Sequence, residues 1–243
     1  MKISKKLIGL ISIIMLIALA FTFYNVNKNY IRNKYITTDF DSLDLSGVDS
    51  IMIVAHPDDE ILWGGSHLLD GNYLVVCITA GNNPVRAKEF LKAMSVTNDK
   101  CVMLGYPDKN FNKRNDWKKV DNDIKKDLKK LLSLKKWRVI ATHNPKGEYG
   151  HIHHIMTSKI VTDIYKENYL NCDNLYYFGD YYKKSEIGNV SNSLIPINEK
   201  DYETKLNIIK KIYTSQDFLM AKFGHMAKYE NWNKYVYTDK KGI

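Results

Sequence analysis

The sequence contains few cysteines, and they are not arranged to brace a fold. Cys77, Cys101 and Cys172 are scattered along the chain, and no two form a CxxC pair. An odd, low count without such spacing indicates neither a disulfide framework nor a cysteine-based zinc site. Internal repeats and low-complexity blocks are lacking too. With 243 residues, 44% of them hydrophobic and 26% charged, the chain is predicted to be globular and to form one α/β domain.

Nucleic-acid recognition motifs are also lacking, although the net charge is +9. Basic residues cluster around an apolar N-terminal segment and again over residues 109–138, where lysines alternate with aspartates. A basic balance permits nucleic acid, anionic lipid or an anionic polymer as a partner. No helix-turn-helix, RNA-binding or zinc-finger signature accompanies the charge. We therefore interpret the second cluster as a solvated helix face and expect no nucleic-acid partner.

One long apolar run does occur, at residues 7–26, and it contains no charged residue. It is about long enough to cross a bilayer as a helix, with lysines before it and Tyr24 and Tyr30 near its far end. We predict an uncleaved single-pass membrane anchor, with the N-terminus inside and the following domain extracytoplasmic. The alternatives are a cleaved signal peptide, which would release a secreted protein, and a buried core helix.

From residue 50 onward, short apolar runs typical of buried parallel strands alternate with longer amphipathic stretches. The predicted strands cover residues 51–55, 73–79, 101–105, 139–142 and 175–178, and the predicted helices cover residues 58–70, 85–97, 121–134 and 154–167. This order predicts an α/β, Rossmann-like fold: a mostly parallel open sheet with helices on both faces, preceded by an N-terminal transmembrane helix. The predicted organisation is a basic N-terminus (1–6), an anchor (7–26), a linker (27–49) and one domain (50–243).

The polar residues of chemical interest follow the predicted strands directly. They occupy residues 56–59, 80–84, 106–108 and 143–154. In an open parallel sheet the ligand crevice lies beyond the carboxyl ends of the strands. We therefore expect these segments to form one site.

The spacing within two of these segments suits a metal ion. His56 and Asp59 are three residues apart on a turn from strand to helix, so both can face one ion. One histidine from the Gly-His-Ile-His-His run at residues 150–154 would complete a set of two histidines and one carboxylate. Such a set leaves positions open for water and substrate, which is typical of a catalytic site. Asp58 points elsewhere and can take a proton from the attacking water.

The His-Pro-Asp-Asp-Glu run at residues 56–60, followed by the Gly-His-x-x-His pattern at residues 150–154, resembles the PIG-L/LmbE-like family of zinc-dependent N-deacetylases. That family includes the N-acetylglucosaminyl-phosphatidylinositol deacetylase and deacetylases of the mycothiol and bacillithiol pathways. The resemblance covers residues 50–180. It implies a hydrolase with Zn²⁺ as cofactor, with another divalent metal such as Fe²⁺ as the alternative.

The resemblance also implies a role for each candidate residue. By position, the zinc ligands are His56, Asp59 and His154, the general base is Asp58, the general acid is His151, an oxyanion contact is Tyr149, and the sugar contacts are Arg86 and Asp108. Many members carry aspartate where this chain has His153, and that aspartate tunes the acid histidine. We interpret the remaining histidines as structural residues: His67, His143, His153 and His225.

The activity that the resemblance implies is removal of the acetyl group from a GlcNAc-type sugar on a membrane-proximal glycan or glycolipid, with release of acetate. The expected partners are thus an N-acetylated amino sugar and the membrane that holds residues 7–26. One alternative is a catalytically silent carbohydrate- or metal-binding surface protein on the same scaffold. Another is a hydrolase of a different bond, such as an ester or a peptide amide. The intact Asp58 favours an enzyme, because binding alone does not need a base.

Overall fold

A computed structural model describes residues 5–110, 112–167, 172 and 174–236. Parts of the predicted organisation lie outside the described residues: positions 1–4 of the basic N-terminus and positions 111, 168–171, 173 and 237–243 of the domain. The helices are α1 (Lys5–Tyr35), α2 (Asp59–Leu69), α3 (Pro84–Thr97), α4 (Asp121–Leu132), α5 (Gly147–Gly150), α6 (Ile152–Lys166), α7 (Ile187–Val190), α8 (Glu199–Lys211) and α9 (Phe218–Phe223). The strands are β1 (Ser50–Val54), β2 (Tyr73–Thr79), β3 (Lys100–Tyr106), β4 (Lys109–Asn110), β5 (Lys113–Arg114), β6 (Val139–Thr142), β7 (Leu175–Tyr177) and β8 (Asn233–Lys234).

The main sheet has the strand order β3-β2-β1-β6-β7-β8. Its strands are parallel apart from β8, which pairs antiparallel with β7 at one edge. Ser50 of β1 lies opposite Tyr73 of β2 on one side and Val139 of β6 on the other. The strands β4 and β5 form a separate antiparallel hairpin. The predicted α/β fold with a mostly parallel open sheet is confirmed.

Helices cover both faces of the sheet, because alternate residues of each strand enter different cores. In β1, Met52 and Val54 pack with the apolar sides of α2, α3, α8 and α9. Ile51 and Ile53 belong to the other core, which α4 and α6 close. Every residue of β1 and β2 is buried, as expected for strands covered on both faces.

The helix α1 contains the apolar span Gly9–Val26, which has a mean hydropathy of 2.1 and is not buried against the rest of the chain. It is long and apolar enough to cross a membrane, although a signal sequence would pass the same test. The helix continues to Tyr35, well into the segment predicted as a linker. Phe40 and Val48, from the remainder of that segment, are buried in the core beneath α4. Residues 36–49 are therefore packed onto the domain.

A buried ion pair joins α8 to the C-terminal part of the domain. Lys205 Nζ lies 2.6 Å from Glu230 Oε1, and both side chains are almost fully shielded from solvent. The Glu230 carboxylate also accepts from the backbone N–H of Ser66 in α2. This pair thus connects three segments that sequence patterning does not place together.

Lys205→Met should destabilise the protein by about 3–5 kcal/mol, because it leaves the Glu230 carboxylate buried without its cation. Urea unfolding of the full chain in detergent micelles, followed by tryptophan fluorescence, measures this free energy. Lys210→Met changes an exposed lysine on the same helix and should alter the free energy of unfolding by less than about 0.5 kcal/mol. An equal loss of unfolding free energy in the two variants would contradict the stabilising role of the buried ion pair.

Candidate active site

The predicted site residues meet at the carboxyl end of β1 and its neighbour β6. The turn at residues 55–59 follows β1, and the segment at residues 143–154 follows β6 and leads into α6. Since β1 and β6 are adjacent parallel strands, their ends open into one crevice. The loop after β3 brings Asp108 to the same place, with its Oδ1 3.4 Å from His56 Nε2.

The Oδ2 atom of Asp59 lies at the centre of the crevice. His56 Nδ1 and His154 Nε2 each lie 3.2 Å from it, and His143 Nε2 lies 3.5 Å away. The backbone N–H of His56 donates to the same oxygen over 2.9 Å. Potential ligand atoms of Asp59, His143 and His154 lie within 4.8 Å of one another, as do those of His56, His151 and His154.

Partners on the far side of each ring determine which nitrogen carries the proton. His154 Nδ1 lies 2.5 Å from Glu148 Oε2 and donates to it, so in the neutral ring Nε2 has no proton. His154 Nε2 also has no hydrogen-bond partner among the described residues. His153 Nε2 donates to Asn115 O over 2.7 Å, and burial lowers the pKa of His153 to about 4, so its ring is neutral. His153 Nδ1 therefore accepts from His56 Nε2 over 3.0 Å, which leaves Nδ1 of a neutral His56 ring without a proton.

These assignments leave three lone-pair atoms facing one another. In the neutral rings that a metal ion requires, they are His56 Nδ1, His154 Nε2 and Asp59 Oδ2, with no proton between them. Such an arrangement is repulsive unless a cation lies among them. Two imidazoles and a carboxylate are a donor set of catalytic zinc sites, and a carboxylate behind a ligating histidine commonly fixes its ring. The residues present therefore fit a divalent metal ion.

His143 stands behind this set and is held on both sides. Its Nε2 accepts from the backbone N–H of Ala55 over 3.0 Å, and its Nδ1 donates to Glu148 Oε2 over 3.0 Å. The ring also stacks on that of His154. Because the backbone N–H occupies Nε2, His143 supports the Glu148 carboxylate.

Asp58 is held beside the metal-binding set in a strained conformation. Its φ of 102° and ψ of −30° are unfavourable for any residue with a Cβ atom. Its backbone N–H donates to Glu60 Oε2 over 3.0 Å, and the Tyr213 hydroxyl donates to the other oxygen of Glu60. Burial raises the pKa of the Asp58 carboxyl well above its usual range, and the charge of Asp59 adds to the rise. A carboxylate with a raised pKa is better suited to accept a proton.

Arg86, predicted as a sugar contact, lies on Asp58. Its Nη2 donates to Asp58 Oδ2 over 2.9 Å and to the carbonyl oxygen of Pro57. The side chain is largely buried, and the Nε atom has no hydrogen-bond partner among the described residues. Arg86 thus holds both the side chain of Asp58 and the strained backbone of the turn at residues 56–60.

Asp108, the other predicted sugar contact, is bound by Arg114 of β5. Its Oδ1 also lies 3.6 Å from His153 Nδ1 and 3.4 Å from His56 Nε2. The carboxylate therefore faces the rings of the crevice from the hairpin side.

His151 and Tyr149 form another wall of the crevice. His151 Nδ1 accepts from the backbone N–H of His153 at the start of α6, which places the proton of the neutral ring on Nε2. Burial, together with the neighbouring His154 and His56, lowers the pKa of His151 to about 2. The Nε2 atom is buried and has no hydrogen-bond partner among the described residues. The Tyr149 ring lies 5.8 Å from that of His151.

Sequence reasoning missed two residues that shape the crevice, Glu148 and Trp117. Glu148 fixes the ring orientation of His154 through a hydrogen bond to its Nδ1. Glu148 has a φ of 53°, and the nearby Gly147 and Gly150 also have positive φ. Those two glycines were a signal of an unusual turn, but they did not identify the carboxylate as functional. Trp117, which stacks on His153 with ring centroids 4.3 Å apart, had no signal at all.

The remaining histidines have ordinary partners. His67 stacks on Trp232 with centroids 3.6 Å apart, and His225 Nε2 bonds to Tyr182 O over 2.8 Å. His153 also borders the crevice, since its ring connects His56 to the backbone at Asn115.

Comparison with known proteins agrees with the fold and with the sequence motifs. An uncharacterised protein of Acanthamoeba polyphaga mimivirus is 33% identical over an alignment of 182 residues, which covers 68% of this chain and 75% of that protein. The fold is similar to the crystal structure of the A40926 pseudoaglycone deacetylase Dbv21, with a TM-score of 0.53 and 16% identity over 71% of this chain and 84% of that one. Residues 51–165, which carry both histidine motifs, match the family described as "PIG-L: GlcNAc-PI de-N-acetylase". The chain therefore belongs to the PIG-L family.

Proposed function

We propose that this protein is a zinc-dependent hydrolase that removes the acetyl group from an N-acetylated amino sugar. The observation that carries the proposal is the convergence of His56 Nδ1, His154 Nε2 and Asp59 Oδ2 beside the buried Asp58 carboxylate. A site built only to hold a metal would not need a base in a strained conformation next to it. The family to which the chain belongs supports the deacetylase reaction.

In this proposal each residue has one task. His56, Asp59 and His154 hold the zinc ion, which when bound would polarise the acetamide carbonyl and favour ionisation of water. Asp58 takes a proton from the attacking water, while Arg86 holds its carboxylate and Glu60 holds its backbone N–H. Fe²⁺ is the alternative metal, because two imidazoles and a carboxylate also suit that ion.

His151 and Tyr149 serve the developing oxyanion. The proton that His151 carries on Nε2 is aimed into the crevice and has no protein acceptor among the described residues, so it is available to the substrate oxygen. To act as the general acid, the His151 ring must first gain a second proton, which is supplied by the proton that Asp58 takes from water; the ring then passes a proton to the departing amine and returns to its neutral form. Tyr149, on the adjacent wall, would help to stabilise the same oxyanion.

We propose as substrate a GlcNAc-type unit on a membrane-proximal glycan or glycolipid. Asp108 faces the crevice and is placed to accept from sugar hydroxyl groups. Arg86, which donates to Asp58, would contact the sugar beside it. The helix α1 would act as a single-pass anchor, with the domain on the extracytoplasmic side. Tethering would then confine the enzyme to substrates near the bilayer.

Asp58→Asn should lower the rate of acetate release about 10²- to 10⁴-fold, because the amide cannot accept the proton of water. Zinc content, measured by atomic absorption, should remain that of the wild type. The assay supplies a panel of acetamido sugars to the full chain and follows both acetate and product mass. Asp70→Asn, at the exposed end of the same helix, is the matched control and should keep full activity. Acetate release by Asp58→Asn at the wild-type rate would show that Asp58 is not the base. A wild-type protein that releases no acetate from any sugar of the panel would contradict the proposed deacetylase activity.

His153→Leu should weaken zinc binding about 10- to 100-fold, because it removes the acceptor that keeps the proton of His56 on Nε2. His153→Asn keeps an acceptor near the position of Nδ1 and should lose much less. Competition with a chromophoric chelator measures the affinity without any need for catalysis. The control is His67→Leu, which removes another histidine stacked on a tryptophan, away from the site. Equal affinities for His153→Leu and the wild type, or equal losses in Leu and Asn variants, would contradict this positioning role.

A further inference from the structure

The chain that leaves α1 is fixed to the site end of β3. Ile36 occupies a notch made by two glycines: a Cβ atom on either Gly81 or Gly105 would clash with the Ile36 side chain. The backbone N–H of Thr37 donates to Met103 O over 2.8 Å. The end of the helix therefore continues directly into a contact with the domain, without a free tether.

This attachment places the end of the apolar span near the active site. Asn25, one residue before the end of the span Gly9–Val26, lines a cavity of about 710 Å³ together with Ile36, Pro107 and Val120. From the end of the span to Ile36 the helix rises only about 15 Å, at about 1.5 Å for each residue. Any bilayer that holds α1 is thus close to the loop that follows β3.

A strongly basic segment begins at that loop. We call residues 109–110 and 112–119 the basic hairpin; it comprises β4, β5 and the turn that leads to α4. It contains one acidic residue, Asp116, and five exposed basic residues: Lys109, Lys113, Arg114, Lys118 and Lys119. Arg114 pairs with Asp108, and Lys118 pairs with Asp116. Within the described part of the chain, no ion pair forms to the other three lysines.

We propose that the basic hairpin contacts the anionic headgroups of the membrane in which α1 is anchored. Pro107 and Val120 flank the hairpin segment and share a cavity with Asn25, so the hairpin starts beside the point where the helix leaves the bilayer. Exposed charges are attracted over roughly a Debye length, about 8 Å at physiological ionic strength, so this proximity is required for the effect. The inference rests on the proposed anchor but not on the proposed chemistry.

The contact would orient the active site as well as hold it. Asp108 immediately precedes Lys109, and its Oδ1 lies 3.4 Å from His56 Nε2. With the basic hairpin on the headgroups, the crevice opens at the membrane surface. Substrates whose acetamido sugar lies in that layer would reach it directly, whereas distant units of a long glycan would not.

The test measures the accessibility of individual lysines in the full chain. Reductive methylation uses formaldehyde with dimethylamine–borane as the reductant, both of which are small and neutral. It is read out by mass spectrometry for the chain in neutral detergent, phosphatidylcholine vesicles and phosphatidylglycerol vesicles. An anionic surface attracts protons and keeps nearby lysines protonated, so Lys109, Lys113 and Lys119 should react about fivefold more slowly in phosphatidylglycerol. Vesicle flotation in the same samples confirms that the chain is membrane-bound.

Matched control lysines lie away from the hairpin. Lys100 is exposed at the opposite end of β3, and Lys200 is exposed in the first turn of α8; both should react equally in all three environments. Equal rates for hairpin and control lysines in phosphatidylglycerol would overturn the proposal. The proposal would also be overturned if the hairpin lysines were slowed equally in phosphatidylcholine, or if soluble polyglutamate slowed them to the same extent in detergent. Failure of the chain to float with the vesicles would overturn it as well. A protein without deacetylase activity would still give the expected labelling, so the two failures are distinguishable.

Discussion

The arrangement of the candidate active site depends on one oxygen atom, Oδ2 of Asp59. It receives the backbone N–H of His56 and faces lone pairs on the His56 and His154 rings. Those rings can approach it in this way only because their protons are held elsewhere, by His153 and Glu148. The crevice is therefore a concentration of negative potential enclosed by buried partners, and a divalent cation is the natural counterion for it.

Much of this could be predicted from the sequence, because the signals were local. Continuous apolar runs such as residues 51–55 predict buried parallel strands, and the carboxyl ends of such strands share one edge of the sheet. The separation of His56 and Asp59 by one helical turn could likewise be recognised directly. The motif around His154 follows another predicted strand, so the same rule places it at the same edge.

The unpredicted part depends on long-range partners and on backbone torsions. Arg86 meets Asp58 because the turns after β1 and β2 are neighbours, and no spacing rule records that pairing. Glu148 reaches His154 only because its backbone adopts positive φ, which a sequence of Gly-Glu-Tyr-Gly permits but does not require. In α8, Lys205 follows the pattern of a solvated lysine, yet it is buried on Glu230. Each of these outcomes was decided by tertiary contacts.

The strained backbone of Asp58 has a consequence for how this protein can evolve. Its φ of 102° is a conformation that glycine adopts readily and aspartate does not, so the fold itself would favour glycine at this position. Stability and chemistry therefore select different residues at one position. A lineage released from selection for hydrolysis would be expected to lose Asp58 early and to gain thermal robustness as it does so. The residue found at this position in a relative is thus an indicator of whether that relative is still under selection as an enzyme.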